Sequence, residues 1–167
     1  MNRDPAVMEF FPNPLTAEES SRMIDRAEAH LGQHGFGPWA VELKDSGAFI
    51  GYIGLVIPGF EAAFTPCVEI GWRLASAHWG RGLATEGARA AVDHAFHALH
   101  LPAIVSFTVP ADLRSRRVME KLGMTRDPAE DFDHPNLPGG HPLRRHVLYR
   151  LAAADALSHA PLAPAPQ

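Results

Sequence analysis

The most constraining stretch of this chain lies between residues 68 and 87, where an alternating segment, a glycine loop and a helical pattern follow one another directly. Val68, Ile70, Trp72 and Leu74 alternate with Cys67, Glu69, Gly71 and Arg73, so the two sets face opposite sides of a sheet. After the loop, Ala84, Ala88, Ala91, Val92, Ala95, Phe96 and Leu99 recur at helical spacing, predicting a helix over 84–99. Small residues at Gly80, Gly82 and Ala84 leave backbone N–H groups bare where that helix begins. Those amides lack partners and sit at the positive end of the helix dipole, so the place attracts anions. A dinucleotide fingerprint fails here, because Thr85 stands where its third glycine belongs. A nucleotide phosphate loop also fails, because no Lys-Ser or Lys-Thr pair follows the glycines. A glycine turn that binds nothing is the plain competing reading.

The remaining pattern fits one domain over residues 1–154 and a Pro/Ala-rich tail over 155–167, read as disordered. Thr16 and Glu19 form a capping box that starts a helix reaching about Gln33, with Met23, Ala27 and Leu31 on one face. A short helix is predicted over 5–10. Segments 39–43, 48–57 and 67–74 read as an antiparallel meander, with a turn at 44–47. Segment 104–109 reads as a buried strand parallel to the third, because a helix lies between them. Residues 113–122 read as a shorter helix stopped by Gly123, 127–142 as a long flap, and 146–151 as a last strand.

Composition narrows the partners. A net charge of -4 argues against a general nucleic-acid binder, and no apolar run is long enough to cross a bilayer. The single cysteine, Cys67, has no internal disulfide partner, which agrees with a cytoplasmic location; it reads as a small apolar strand residue rather than a nucleophile. No secretion signal precedes the first helix.

Four segments together resemble the GNAT acetyltransferases, most closely the branch of ribosomal-protein N-terminal acetylases. They are Asp4-Pro5-Ala6-Val7-Met8, Val68-Glu69-Ile70-Gly71-Trp72-Arg73-Leu74, Trp79-Gly80-Arg81-Gly82-Leu83-Ala84-Thr85-Glu86, and Ser115-Arg116-Arg117-Val118-Met119-Glu120-Lys121-Leu122-Gly123-Met124. The resemblance implies an α/β (α+β) fold: a mixed, mostly antiparallel sheet with helices on both faces. It implies acetyl-CoA as donor, an amine as acceptor, direct transfer and a homodimer. The acceptor is a protein N-terminus, a polyamine or a small-molecule amine. The strands matching 67–74 and 104–109 splay apart in the family to admit the pantetheine arm, and the diphosphate sits on the loop. That places Trp72, Arg73, Leu74, Trp79, Gly80, Arg81, Gly82, Leu83, Ala84, Thr85, Asp112, Ser115 and Arg117 around the cofactor.

The chain also departs from the family. The usual first edge strand has no counterpart before the Asp-Pro segment. Trp79 stands where Gln or Arg is common, Asp112 where Asn is usual, and Met119 where many relatives carry a tyrosine acid. A non-catalytic acyl-CoA-binding sensor is therefore the competing reading.

Acetyl transfer to an amine needs a base, a charge-stabilising group for the thioester oxygen and an acid for the leaving thiolate. Glu69 resembles the family's strand base; the alternative is a surface carboxylate paired with Arg73. Ser115 resembles the proposed acid of the ribosomal-protein branch; the alternative is a cap. Arg116 and Arg117 are either phosphate ligands or a solvated face. Asp131, Asp133, His134 and His141, followed by Arg144, Arg145 and His146, line an acceptor pocket or supply a base. Their spacing matches no standard metal set, so no metal is expected. Tyr149 reads as a core residue with a wet tip, or as an active-site hydroxyl.

Overall fold

The computed structural model describes residues 1–158. The fold starts with a short helix α1 (Pro5–Met8) and a long helix α2 (Ala17–His34). Both ends of α2 follow the sequence: the Thr16–Glu19 capping box closes its start, and Gly35 ends it in the left-handed region with its N–H donating to Leu31. No residue of α2 is buried. Its apolar face lines an open cavity instead of closing onto the sheet.

Three strands follow as the expected meander: β1 (Pro38–Glu42), β2 (Phe49–Val56) and β3 (Glu69–Leu74). Cys67 and Val68 lie just before β3 rather than in it. Helix α3 (Leu83–Asp93) comes next, then β4 (Ala103–Thr108), α4 (Leu113–Lys121), β5 (Phe132–Asp133), β6 (Arg145–Ala152) and α5 (Ala153–Ser158). The predicted helix over 84–99 changes at His94 into a π-helical turn, His94–Ala98, in which Leu99 N–H donates to the His94 carbonyl. A constant-period reading has no way to register that extra residue per turn. Strand β5 lies inside the expected flap, and α5 runs into the stretch expected as tail. The remainder of that tail, 159–167, lies outside the described residues.

The six strands stand in the order β1-β2-β3-β4-β6-β5. Five neighbouring pairs give one parallel pair, β3 with β4, as the strand–helix–strand order requires. The main core lies between the sheet and helices α3 and α4, where Ile53, Leu55, Ile70 and Ile104 meet Ala88, Ala91, Phe96 and Met119. Small residues along α3 allow this close approach; a Cβ at Gly87 would stand 2.6 Å from Ile53 Cδ1. Among the described residues, no helix is long and apolar enough to cross a membrane.

Candidate active site

The β3–β4 junction is the origin of the site. β2 and β3 match at six positions, and β4 and β6 at six, but β3 and β4 match only at Glu69 with Val105. Beyond that point the two strands diverge. Val105 N–H donates to the Val68 carbonyl at 2.9 Å, which fixes the orientation of the β3 edge. Backbone groups alternate sides along a strand, so the N–H groups of Trp72 and Leu74 point to the open side. The Leu74 carbonyl is already taken by Trp79, whose indole N–H donates to it at 2.8 Å. Trp79 thus acts as a strut between the strand end and the loop, and the Arg114 guanidinium lies 4.5 Å from its ring centroid.

The loop has the form its glycines predict. Gly80 (φ 74°) and Gly82 (φ 83°) lie in the left-handed region, and Gly82 is the N-cap of α3. No side chain caps that helix start, and a Cβ at either glycine would meet nothing within 4 Å. An open helix N-terminus with bare amides suits the diphosphate of coenzyme A. Gly80, Gly82, Leu83, Ala84 and Thr85 line one continuous cavity with Glu69, Trp72, Ser115 and Arg117. Its volume is about 1510 Å³, above the usual range for a single small ligand and ample for a cofactor with an acceptor.

The other expected cofactor residues take different positions. Leu74 is a core side chain, so only its backbone is available to a ligand. Asp112 is committed to the fold: one oxygen caps α4 by accepting from the Ser115 N–H, the other accepts from Thr108 Oγ1. Arg81 stands outside the cavity wall, exposed beside His78. Arg73 points toward the N-terminal segment, donating to Asn2 Oδ1 at 3.1 Å with its guanidinium 3.9 Å over the Phe11 ring. Sequence reasoning missed that Phe11 and Asn2 belong to this site, since nothing local links them to a strand so far along the chain.

Glu69 lies half-buried on the cavity wall. Among the described residues, Glu69 makes no ion pair and no side-chain hydrogen bond, so the Arg73 pairing weighed in the sequence does not form. Desolvation without a compensating partner pushes its pKa up to about 8. Tyr52, directly opposite Arg73 on β2, also has its pKa raised, chiefly by burial. Cys67 is pushed up to about 11 by burial and by Glu69, which leaves it a thiol and a poor nucleophile.

The flap splits the expected acidic and imidazole cluster. Asp131 pairs with Arg126, and Asp133 with Arg144 and Arg145, whereas His134 and His146 face the cavity. Tyr149 is buried with its hydroxyl engaged, donating to Glu120 and accepting from Arg116. That is the core residue with a polar tip. Met119, 1% exposed, is packed in the core.

Comparison with known proteins agrees with this geometry. The model of the acetyltransferase (GNAT) domain matches residues 1–125. YkkB of Bacillus subtilis strain 168, an uncharacterised protein, is 31% identical over 121 residues, which is 72% of this chain and 69% of the relative. The crystal structure of an acetyltransferase from Agrobacterium tumefaciens strain C58 is similar at a TM-score of 0.69 and 29% identity, covering 90% of this chain and 80% of that one. A spermidine N-acetyltransferase from Vibrio cholerae, solved in complex with CoA and spermine, shares the fold at a TM-score of 0.70 and 18% identity, over 93% of this chain and 88% of that one.

Proposed function

The chain belongs to the GNAT acetyltransferases, which use acetyl-CoA, and from that premise we propose that it acetylates a primary amine by direct transfer, with Glu69 as base and Ser115 as acid. The observation that carries the reading is the splay of β3 from β4, with bare amides along one edge and an unpaired carboxylate at its root. Acetyl-CoA supplies an electrophilic thioester. Gly80, Gly82 and the first amides of α3 fit its diphosphate, and Arg117 adds a cation on the same wall. The Trp72 and Leu74 amides, on the open edge of β3, would donate to the thioester oxygen as it gains charge.

The acceptor ammonium must first lose a proton. Glu69, with a pKa near that of an activated base, takes it directly or through water. The amine nitrogen then bonds to the carbonyl carbon, the carbon–sulfur bond breaks, and the nitrogen gives its second proton to solvent as the neutral amide forms. The departing thiolate takes a proton from the Ser115 hydroxyl, which regains one from solvent. Ser115 lines the cavity at the start of α4, and its backbone N–H is the group engaged by Asp112. Met119 sits in the core, which leaves Ser115 as the hydroxyl on that helix. The motifs in 4–8 and 115–124 support a place in the ribosomal-protein branch, and α1 and α4 carry them.

Calorimetry with acetyl-CoA, followed by a thiol assay for CoA release across protein N-termini, polyamines and small amines, tests the reading. Saturable acetyl-CoA binding with turnover on at least one amine is expected. Tight binding with no turnover on any amine would leave a sensor of acyl-CoA instead.

A further inference from the structure

At the flap end of the cavity, six rings gather from four separate segments. Phe60 and Phe64 come from the connection between β2 and β3, Phe107 from β4, Phe132 and His134 from β5 and the residue after it, and His146 from β6. Their neighbouring centroids lie 4.7–6.3 Å apart, with Phe64 against Phe132 at 4.7 Å and His134 against His146 at 5.0 Å. None of the four phenylalanines is fully buried, so the cluster keeps open aromatic surface. Phe107, His134 and His146 present it to the cavity.

The cluster adjoins Glu69. Glu69 and Val105 are paired across a parallel ladder and share a face. Phe107 is the next residue on that face of β4, roughly 7 Å further along. Leu137 of the flap and Leu143 just after it also line the cavity.

We propose that the acceptor is a monoamine with an aromatic body, which stacks on Phe107, His134 and His146 while its amine reaches Glu69. This rests on the acetyltransfer reading and names its substrate class. Charge separates it from a polyamine. Among the described residues, the carboxylates on the cavity wall are Glu28, Glu69 and Asp112, and Asp112 is already held by Thr108 and the Ser115 amide. The flap carboxylates Asp131 and Asp133 are held by arginines. A polyamine would bring several ammonium groups into a space lined also by Arg73, Arg114 and Arg117, where most would lose water without gaining a partner. A single amine needs one carboxylate. Burial holds His134 and His146 below the usual imidazole pKa, and the neighbouring His134 adds to the effect at His146, so both present neutral ring faces at pH 7.

The test compares 2-phenylethylamine, spermidine and an alanine-initiated peptide as acceptors for the full chain. A kcat/KM for 2-phenylethylamine at least about tenfold above either competitor is expected, the scale of discrimination an apolar pocket delivers. Phe107→Ala should raise KM for 2-phenylethylamine about tenfold while leaving acetyl-CoA affinity unchanged, and Phe107→Leu should restore part of the loss. Spermidine or the peptide proving the better substrate would overturn the proposal. So would Phe107→Ala slowing all three amines alike. Calorimetry of 2-phenylethylamine against the CoA-loaded protein reads the subsite without turnover. Saturable binding that Phe107→Ala weakens supports the aromatic subsite even if no amine is acetylated, in which case acetyltransfer alone falls. Absence of binding overturns the subsite whatever the turnover.

Discussion

Glu69 owes its character to a desolvating cavity wall that offers it no partner. Arg73 shares its strand face but stands four positions on, about 13 Å along the strand, which is too far for a direct pair. The guanidinium turns to Phe11 and Asn2, and Glu69, desolvated without a partner, has its pKa raised from 4.5 to about 8. Two consequences follow at this residue. The rate should rise with pH through a group near 8, and Glu69→Gln should remove that limb and lower kcat about 10²–10⁴-fold with little change in acetyl-CoA affinity. Stability should move the other way. The folded pKa lies above the unfolded one, so the stability linked to Glu69 is complete below 4.5 and is lost as pH rises through about 8. Solvent screening on the open cavity wall cuts this to about 1 kcal/mol, so Glu69→Gln should melt about 2–4 °C above the parent at pH 9 and level with it at pH 4, measured by scanning calorimetry. An equal or lower melting point at pH 9 would mean that the carboxylate is not strained by its burial.

The elements around the site are unequal in what binds them. β2 grips β3 at six positions while β4 grips it at one. The amides of Gly71 and Arg73 face the β2 side, whereas those of Trp72 and Leu74 face the gap, by simple alternation. Hydrogen exchange resolves these four sites by NMR. Acetyl-CoA should slow exchange at Trp72 and Leu74 more than at Gly71 and Arg73, since the latter pair is already in a ladder. Uniform protection of all four would mean that the cofactor stabilises β3 as a whole without pairing with its edge. The same imbalance applies to α2, which is well capped at both ends yet buries none of its residues. Its stability rests more than usual on its caps, each of order 1 kcal/mol, because tertiary packing supplies little.

Over the whole molecule, charge is divided. The chain carries a formal -4, yet the cavity wall includes Arg73, Arg114, Arg117 and Lys121 against few carboxylates. An acidic protein thus presents a locally positive cleft to a polyanionic donor. Raising ionic strength from about 0.01 M to about 1 M shortens the screening length from roughly 30 Å to roughly 3 Å. The acetyl-CoA dissociation constant should rise several-fold over that range in calorimetric titrations. A constant value would mean that buried amides, rather than the arginines, hold the phosphates.

Local chemistry alone was enough to determine much of this protein. The Thr16–Glu19 box, the alternation into Leu74, the glycines at 80 and 82, and the alanine stripe after them each encode an element through contacts within a few residues. That is why α2, the meander, the bare loop and α3 were legible, whereas the Glu69 and Ser115 candidates came from the family resemblance. The short strand β5 and the π-helical turn were not, because a two-residue strand and a single inserted turn carry no period of their own. Tertiary structure alone decided which neighbours the charged groups met. It gave Arg73 to Phe11 and Asn2, left Glu69 without a cation, tied Asp112 into the fold, and gathered six rings from four segments at one end of the cleft. Those outcomes depend on contacts between residues far apart in the chain, and the pKa of a carboxylate follows the partner it finds rather than the residues beside it.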